Sequence, residues 1–427
     1  MRRLESLKRV CVLWLSLVGL LLETAVYAYI WFQNYYPIVN RFNLGLKFFF
    51  KGHLLIVTIY FVLLFFFTST YGGLKIGYLK PGDVFLSQLV SLCIVDVITY
   101  FQISLMSNRL VPVVYFAQAL VVQLLISGVW TTFCNWVYRR VFPPREMLLV
   151  HGHRSIEDIL RKFESRRDKY RITKCVNIKE GIWKIQEEID SGFRAVVLWD
   201  ISTEDRNKLL KYCYSRSVRV YMMPKIPDVL IAGADQLHLF DTPIFLTREY
   251  PLTVEQRMAK RTIDLVFSLV LTILTSPIML ITAICIKCYD GGPVLYKQTR
   301  CTCGGREFKI LKFRSMKVDA EKDGVARLAS RNDSRITPIG KFIRMVRIDE
   351  LPQLLNILKG DMSFIGPRPE RPEIIAQYVE QMPEFVFRMK VKAGLAGYAQ
   401  VYGKYNTTPY DKLKLDLSYI ENYSLWL

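Results

Sequence analysis

Four long apolar runs dominate the first third of the chain: Val10 to Trp31, Leu54 to Thr68, Val84 to Met106 and Leu110 to Tyr138. Each approaches or exceeds the roughly 20 residues that cross a bilayer as helix. The pattern predicts a four-helix transmembrane bundle over 1–140. Glu23, Asp96 and Gln123 interrupt the runs. Ionisable groups at membrane depth often mark function; with no transport path suggested nearby, partnered packing inside the bundle is the reading adopted. Arg2, Arg3, Lys8 and Arg9 precede the first run, and Arg139, Arg140 and Arg145 follow the fourth. Both flanks are therefore expected in the cytoplasm. The first run lacks a small-residue cleavage site and is read as an anchor, not a removable signal.

The pattern then changes. Over 141–250 buried-strand runs alternate with helical ones: "MLLVHG", a helix over Ser155 to Glu164, "AVVLW", a helix over Thr203 to Arg216, and "VRVYMM". Such alternation predicts a small doubly wound, Rossmann-like α/β domain. A dinucleotide would want G-x-G-x-x-G after the first strand. The chain offers "VHGHRS", with Gly152 alone, so the domain reads as degenerate, a spacer or assembly module.

A third regime, 251–427, opens with a mostly apolar stretch that carries Ser276-Pro277 near its middle. By length it could be a fifth span, merely kinked by proline. Its flanks argue otherwise: Arg257, Lys260 and Arg261 stand on one side, Lys287, Lys297 and Arg300 on the other. Both ends want the cytoplasm, so the expectation is a re-entrant helix over 260–288, broken at Ser276-Pro277, with freed backbone groups bonded by Ser276 or covered by neighbouring protein.

Composition sharpens the list of partners. A hydrophobic content of 51% exceeds the usual soluble share, and 58 basic against 38 acidic side chains leave a net charge of +20. Nucleic acid, anionic lipid or a phosphorylated substrate would each answer that charge. The tract 287–317 mixes bases with aromatics but holds no recognisable nucleic-acid module, so no nucleic acid is expected. Nine cysteines, an odd and scattered set, fit reduced thiols. Cys285, Cys288, Cys301 and Cys303 have a spacing four zinc-binding thiolates could use; the first pair ends an apolar helix and the second sits in a hairpin, so packing thiols are expected. His53, His151, His153 and His238 are too dispersed for a metal site.

The chemistry concentrates in "RIDELPQLLNILKGDMSFIGPRPERPE", from Arg347 to Glu373. Asp349 reads as an N-cap and Glu350 as a first-turn acid of a short helix that Gly360 ends. A helix N-terminus favours an ionised carboxylate and welcomes phosphate. Cations crowd the same stretch: Arg344 and Arg347 before the dyad, Lys312 and Arg314 in "KFRSM", Arg368 and Arg371 in "GPRPERP". Pro367 and Pro369 pre-order the backbone that presents Arg368. Glu350 beside a nucleophilic Asp349 suits a hard divalent ion, Mg²⁺, bridging phosphate oxygens. The set describes phosphoryl transfer at a membrane surface. "GYAQVYGK" is not a P-loop, because Tyr405 stands where Ser or Thr is required. No G-x-S-x-G or HExxH motif is present.

In chain order, "SPIMLITAICIK", "GPVLYKQTR", "FKILKFRSM", "DELPQLLNILKGDMSFIGPRPERPE" and "AGLAGYAQVYGK" resemble the bacterial sugar transferases known as monotopic polyprenyl-phosphate phosphoglycosyl transferases. The match runs from about Thr253 to Leu427, and the preceding bundle and α/β domain resemble the large members. The resemblance implies transfer of a hexose 1-phosphate from a UDP-sugar to undecaprenyl phosphate with release of UMP, initiating capsule, exopolysaccharide or O-antigen synthesis at the bacterial inner membrane, with the catalytic domain on its cytoplasmic face. It implies Asp349 as the nucleophile of a covalent phosphosugar intermediate and Glu350 as the Mg²⁺ ligand. Lys312, Arg344 and Arg368 fall on the family's phosphate-binding positions, with Arg314, Arg371 and Gln400 in the same substrate-binding motifs. Ser276-Pro277 matches the family's re-entrant break, and a homodimer through the N-terminal domains is expected.

Departures stand out. "RCTCGGRE" replaces the family's basic hairpin, Ala393, Ala396 and Tyr402 alter the nucleotide segment, and a further amphipathic helix would be expected beyond "ENYSLWL". A non-catalytic scaffold with a degenerate transferase domain, or a lipid-phosphate hydrolase, are the competing readings; the intact dyad argues against the first.

Overall fold

A computed structural model describes residues 2–42, 50–247, 252–317, 333, 335–403 and 407–424. The chain forms two compact units, Met1–Met223 and Pro224–Leu427.

In the first unit, helix Arg2–Ile30 continues through a π-helical turn, Trp31–Tyr35, into Tyr36–Phe42. It packs with helices Phe50–Tyr71, Pro81–Met106 and Val114–Val141 around Tyr27, Trp31, Tyr60, Leu92, Ile103 and Phe116. Trp14, Leu105, Leu125 and Val129 stay exposed on the outside, as expected of lipid-facing positions. Among the described residues five helices are long and apolar enough to cross a membrane, these four and Val254–Asp290 in the second unit. The polar interruptions converge. Tyr60 donates to Asp96 at 2.8 Å, while the Gln123 amide donates to the Tyr60 hydroxyl at 2.8 Å and to the Glu23 carbonyl at 3.0 Å.

The same unit holds a parallel sheet of β1 (Arg145–His151), β2 (Tyr170–Asn177), β3 (Ala195–Trp199) and β4 (Arg219–Met222), in the order β2-β1-β3-β4. Helices Glu157–Glu164, Ile182–Asp190 and Thr203–Ser215 connect the strands. Gly152 has a local reason: a Cβ there would lie 1.9 Å from the Asp200 carbonyl oxygen. Asp200 also accepts from the Arg154 N–H at 3.0 Å. A carboxylate thus occupies the turn where a pyrophosphate would need free donors.

The second unit is organised by its 37-residue helix, Val254–Asp290, capped by Thr253 and ended by Gly291 in the left-handed region. The expected break at Ser276-Pro277 is not a gap, for the chain stays α-helical through it. Pro277 has no N–H and leaves the Ile273 carbonyl without its helical donor. Ser276 Oγ donates to that carbonyl at 2.8 Å and takes the missing role.

Both ends of this helix, about 55 Å long at 1.5 Å per residue, touch the same body. Near its start Arg261 donates to the Ile357 and Leu358 carbonyls at 2.6 and 2.8 Å, and Asp264 accepts from Ser363 and the Phe364 N–H at 3.0 Å each. Near its end Ile286 packs with Phe313 and Ile343. That body comprises hairpin β5–β6 (Asp235–Leu239, Thr242–Leu246), hairpin β7–β8 (Leu295–Cys301, Glu307–Phe313), and β9 (Ser363–Ile365) paired in parallel with β10 (Gly394–Ala396). Helices Ile226–Ala232, Pro338–Met345, Gln353–Lys359, Pro372–Gln381 and Pro409–Glu421 complete it.

Candidate active site

The dyad does not begin its helix as expected. Arg347, at φ +60°, turns the chain out of Pro338–Met345, and Ile348–Glu350 form a 3-10 turn. Pro352, not Asp349, takes the N-cap position of Gln353–Lys359. The tight turn separates the two acids from the helix proper and lets their side chains meet different surroundings.

Glu350 is the paired member. Its Oε1 accepts from Lys312 Nζ of β8 at 2.9 Å and lies 3.4 Å from Arg368 Nη2; its Oε2 is 3.7 Å from Arg347. Burial alone would raise its carboxyl, yet Lys312, Arg368 and Arg347 outweigh that and hold it below the usual glutamate range. Asp349 is the other case: it is buried, and its Oδ1 has no hydrogen-bond partner. Burial is the largest influence and lifts its carboxyl above the ordinary aspartate range; Glu350 adds to the lift, and Lys312, Arg344 and Arg347 oppose it. The two adjacent carboxylates are thus pushed in opposite directions. Burial lowers Lys312 against the pull of Glu350.

Among the described residues no group of three or more His, Cys, Asp or Glu side chains could hold a metal. Two carboxylates remain at the dyad, one with a buried oxygen lacking a partner. Mg²⁺ is commonly bound by one or two carboxylates plus substrate phosphates, so the residues present fit such an ion once a diphosphate completes its shell. The thiols of Cys285, Cys288 and Cys303 are exposed, whereas Cys301 is buried.

The other expected residues divide. Arg344 approaches through Ser315, donating to its hydroxyl at 2.8 Å. Arg368 sits in a loop clasped by the "AGLAG" segment, for Gly366 N–H donates to the Ala396 carbonyl at 2.8 Å and Gly394 N–H to the Pro367 carbonyl at 2.9 Å. Gln400 serves that clasp, donating to the Leu395 carbonyl at 3.1 Å with its Oε1 buried and unpartnered. Arg314 turns away from the dyad: it lies past the end of β8, forms a fork with both Asp290 oxygens, and donates to the Pro293 carbonyl at 2.7 Å. It ties the long helix's end to the hairpin. Arg371 stands at the head of Pro372–Gln381, where its charge acts on Arg300. Lys404 lies outside the described residues, as do the last three positions of "ENYSLWL".

Sequence reasoning missed Arg388. It is buried, pairs with Asp416 at 2.7 Å and donates to the Arg368 carbonyl at 2.9 Å, so it fixes the loop from behind. Asp416 carried a readable signal: it stands among Leu413, Leu417 and Ile420 on the buried face of Pro409–Glu421. Gln353, one turn past Glu350, was also missed; it is buried with an unpartnered Nε2.

Residues 255–427 match the family described as bacterial sugar transferase. A UDP-N-acetylgalactosamine-undecaprenyl-phosphate N-acetylgalactosaminephosphotransferase of Aeromonas hydrophila is 37% identical over 255 residues, 57% of this chain and 59% of that protein. A UDP-glucose:undecaprenyl-phosphate glucose-1-phosphate transferase of Escherichia coli (strain K12) is 34% identical over 224 residues, 51% of this chain and 48% of that protein. The matched stretch thus spans about half of either relative. A Bacillus subtilis (strain 168) protein, named a putative undecaprenyl-phosphate N-acetylgalactosaminyl 1-phosphate transferase, is 48% identical over 130 residues, 30% of this chain and 72% of that protein.

Proposed function

Because this chain belongs to the bacterial sugar transferase family, we propose that it transfers a hexose 1-phosphate from a UDP-sugar to undecaprenyl phosphate through a covalent aspartyl intermediate. One observation carries the reading: Asp349 keeps a buried oxygen without a hydrogen-bond partner, next to a glutamate that gathers the cations.

An Asp349 oxygen attacks the sugar-bearing phosphorus, the bond to the bridging oxygen breaks, and UMP leaves with that oxygen and its electron pair. An oxygen of undecaprenyl phosphate then attacks the same phosphorus, the Asp349 carboxylate departs, and the lipid-linked diphosphate sugar is formed. Lys312, Arg344 and Arg368 balance the charge that builds on the transferring phosphoryl oxygens. Glu350, with Asp349, would hold Mg²⁺ against the donor's diphosphate, and the bound ion would supply charge neutralisation there.

The long helix is read as re-entrant: contacts from both its ends to one body support this, since a straight crossing would part them across the bilayer. The catalytic unit then faces the cytoplasm at the inner membrane, where a soluble nucleotide sugar and a lipid phosphate meet, and the product would start a capsule, exopolysaccharide or O-antigen chain. A homodimer belongs to the same reading; the exposed hairpin β5–β6, with Leu239, Phe240 and Phe245 open, offers a second copy apolar surface.

The test is UMP release by the purified chain in nanodiscs from UDP-glucose, UDP-galactose and UDP-N-acetylgalactosamine, with and without undecaprenyl phosphate. Acceptor-dependent turnover that EDTA stops and Mg²⁺ restores is expected. UMP release without the acceptor would point to hydrolysis of the donor, phosphate release from undecaprenyl phosphate without a donor would point to a lipid-phosphate hydrolase, and no turnover with any donor would favour a scaffold.

A further inference from the structure

Beside the first turns of the long helix lies a cavity of about 830 Å³. Five cationic side chains line it: Arg257, Lys260, Arg261, Lys390 and Lys392. The single carboxylate in the lining, Asp264, is already engaged by Ser363 and the Phe364 N–H. Part of this charge has a structural use. Lys260 donates to the Ile365 carbonyl at 2.9 Å, and Arg261 caps the carbonyl end of Gln353–Lys359. Lys390 and Lys392 are exposed and, among the described residues, form no ion pair. Partial burial, with Arg261 adding to it and Asp264 opposing, holds Lys392 below the usual lysine range.

Leu252, Val386, Met389 and Val391 give the rest of the wall an aliphatic side, beside the short turn Cys303–Gly305. No aromatic ring lines the cavity among the described residues, so a nucleobase would have nothing to stack on. A turn or two further along the helix, Val266, Phe267, Val270 and Ile273 are exposed, and on the reading above these enter hydrocarbon. Cations at the rim, aliphatic wall below and hydrocarbon beyond match an amphiphile with an anionic head.

We propose that this groove binds an anionic glycerophospholipid of the surrounding leaflet, its phosphate among Lys390, Lys392 and Arg257 and its upper acyl chain along Met389 and Val391. The site rests on the membrane placement of the long helix. It is joined to the chemistry by Arg261, which lines the groove and holds the far end of the helix that starts just after the dyad. A lipid seated there steadies the dyad's mounting.

The experiment is thermal unfolding of the full chain in phosphatidylcholine nanodiscs made with or without phosphatidylglycerol, with transfer assayed on the same samples. Phosphatidylglycerol should raise the midpoint by about 5 °C, and raised salt should shrink the shift. Lys390→Gln with Lys392→Gln should remove most of it, whereas Lys208→Gln with Lys211→Gln, equal in charge but on an exposed helix of the other unit, should leave it intact. Should the paired variant fail to fold, Lys390→Gln alone should still reduce the shift. An unresponsive wild type, or equal loss in both pairs, would overturn the site. So would a shift given by undecaprenyl phosphate in phosphatidylcholine and not by phosphatidylglycerol, which would make the groove an acceptor site. Normal transfer without a lipid shift defeats this proposal alone, and absent transfer defeats the functional reading.

Discussion

Lys312 Nζ donates to Glu350 Oε1 at 2.9 Å, while the neighbouring Asp349 keeps a buried Oδ1 without a hydrogen-bond partner. With Lys312 held by Glu350, and with Arg368 and Arg347 around the same carboxylate, Asp349 is left buried in an ion pair with none of them. A carboxylate in this position is poorly solvated and costs stability. On the proposed mechanism it is also the better nucleophile for lacking a donor.

Asp349→Asn should therefore separate function from fold. Transfer falls to background, since an amide cannot form the acyl phosphate and be released from it. The thermal midpoint should hold or rise, by up to about 3 °C for roughly 1 kcal/mol in a unit of this size, because an uncompensated buried charge has gone. UMP release and thermal unfolding on one sample check both. A midpoint several degrees lower would mean that the carboxylate is paired in solution.

The pH profile follows from the two directions. Asp349 must be ionised to attack, and its carboxyl is raised, mainly by burial, so the acid limb of donor cleavage should lie above the ordinary aspartate value of about 3.9. Lys312 opposes that rise, so Lys312→Met should move the limb to higher pH as well as slow the reaction. For stability the signs differ. Glu350, depressed, contributes stability above its unfolded value that is lost as pH falls through its folded one; Asp349, raised, is relieved by protonation. Lys312→Met with an unchanged limb would show that the lysine does not act on Asp349.

Much of the dyad's setting could be read from the chain because it lies in short motifs: Lys312, Asp349, Glu350 and Arg368 each sit in a stretch whose composition announces phosphate chemistry. The long apolar helices of the first unit were readable for the same reason, one apolar run per helix. Residues that act across the chain were not. Arg388 and Asp416 stand 28 positions apart, and no local pattern joins them. Arg314 shares a motif with Lys312, yet it falls one residue past the end of β8, where the strand's alternation no longer fixes its side. Strand β2 escaped because its Arg171, Lys174 and other exposed side chains hide the apolar alternation of an edge strand.

Arg388 gives a test of that long-range support. Arg388→Ala leaves Asp416 as a buried unpaired carboxylate and should cost about 3–5 kcal/mol. Replacing both, Arg388→Met with Asp416→Leu, should recover most of the stability. Transfer should stay low even so, because the Arg368 carbonyl loses its donor and the loop its fixed position. Full activity in the stable double variant would mean that Arg388 serves the core alone.

The proline in the long helix yields the prediction that bears on topology. Ser276 Oγ satisfies the Ile273 carbonyl that Pro277 leaves open, and an open carbonyl in hydrocarbon costs more than one facing water. Ser276→Ala should thus destabilise the chain by about 1–3 kcal/mol, and Ser276→Thr, which keeps a hydroxyl, by less. If the helix returns to the leaflet it entered, Arg257→Cys and Lys297→Cys, each in a background without other cysteines, should both react with an impermeant thiol reagent only after the cytoplasmic face is opened. Reaction of Lys297→Cys from outside while Arg257→Cys stays protected would make Val254–Asp290 a fifth span and put its two ends on opposite sides of the bilayer. The contacts of Arg261 with Leu358 and of Ile286 with Ile343, all in one body, are what the re-entrant proposal rests on, and that outcome would overturn it.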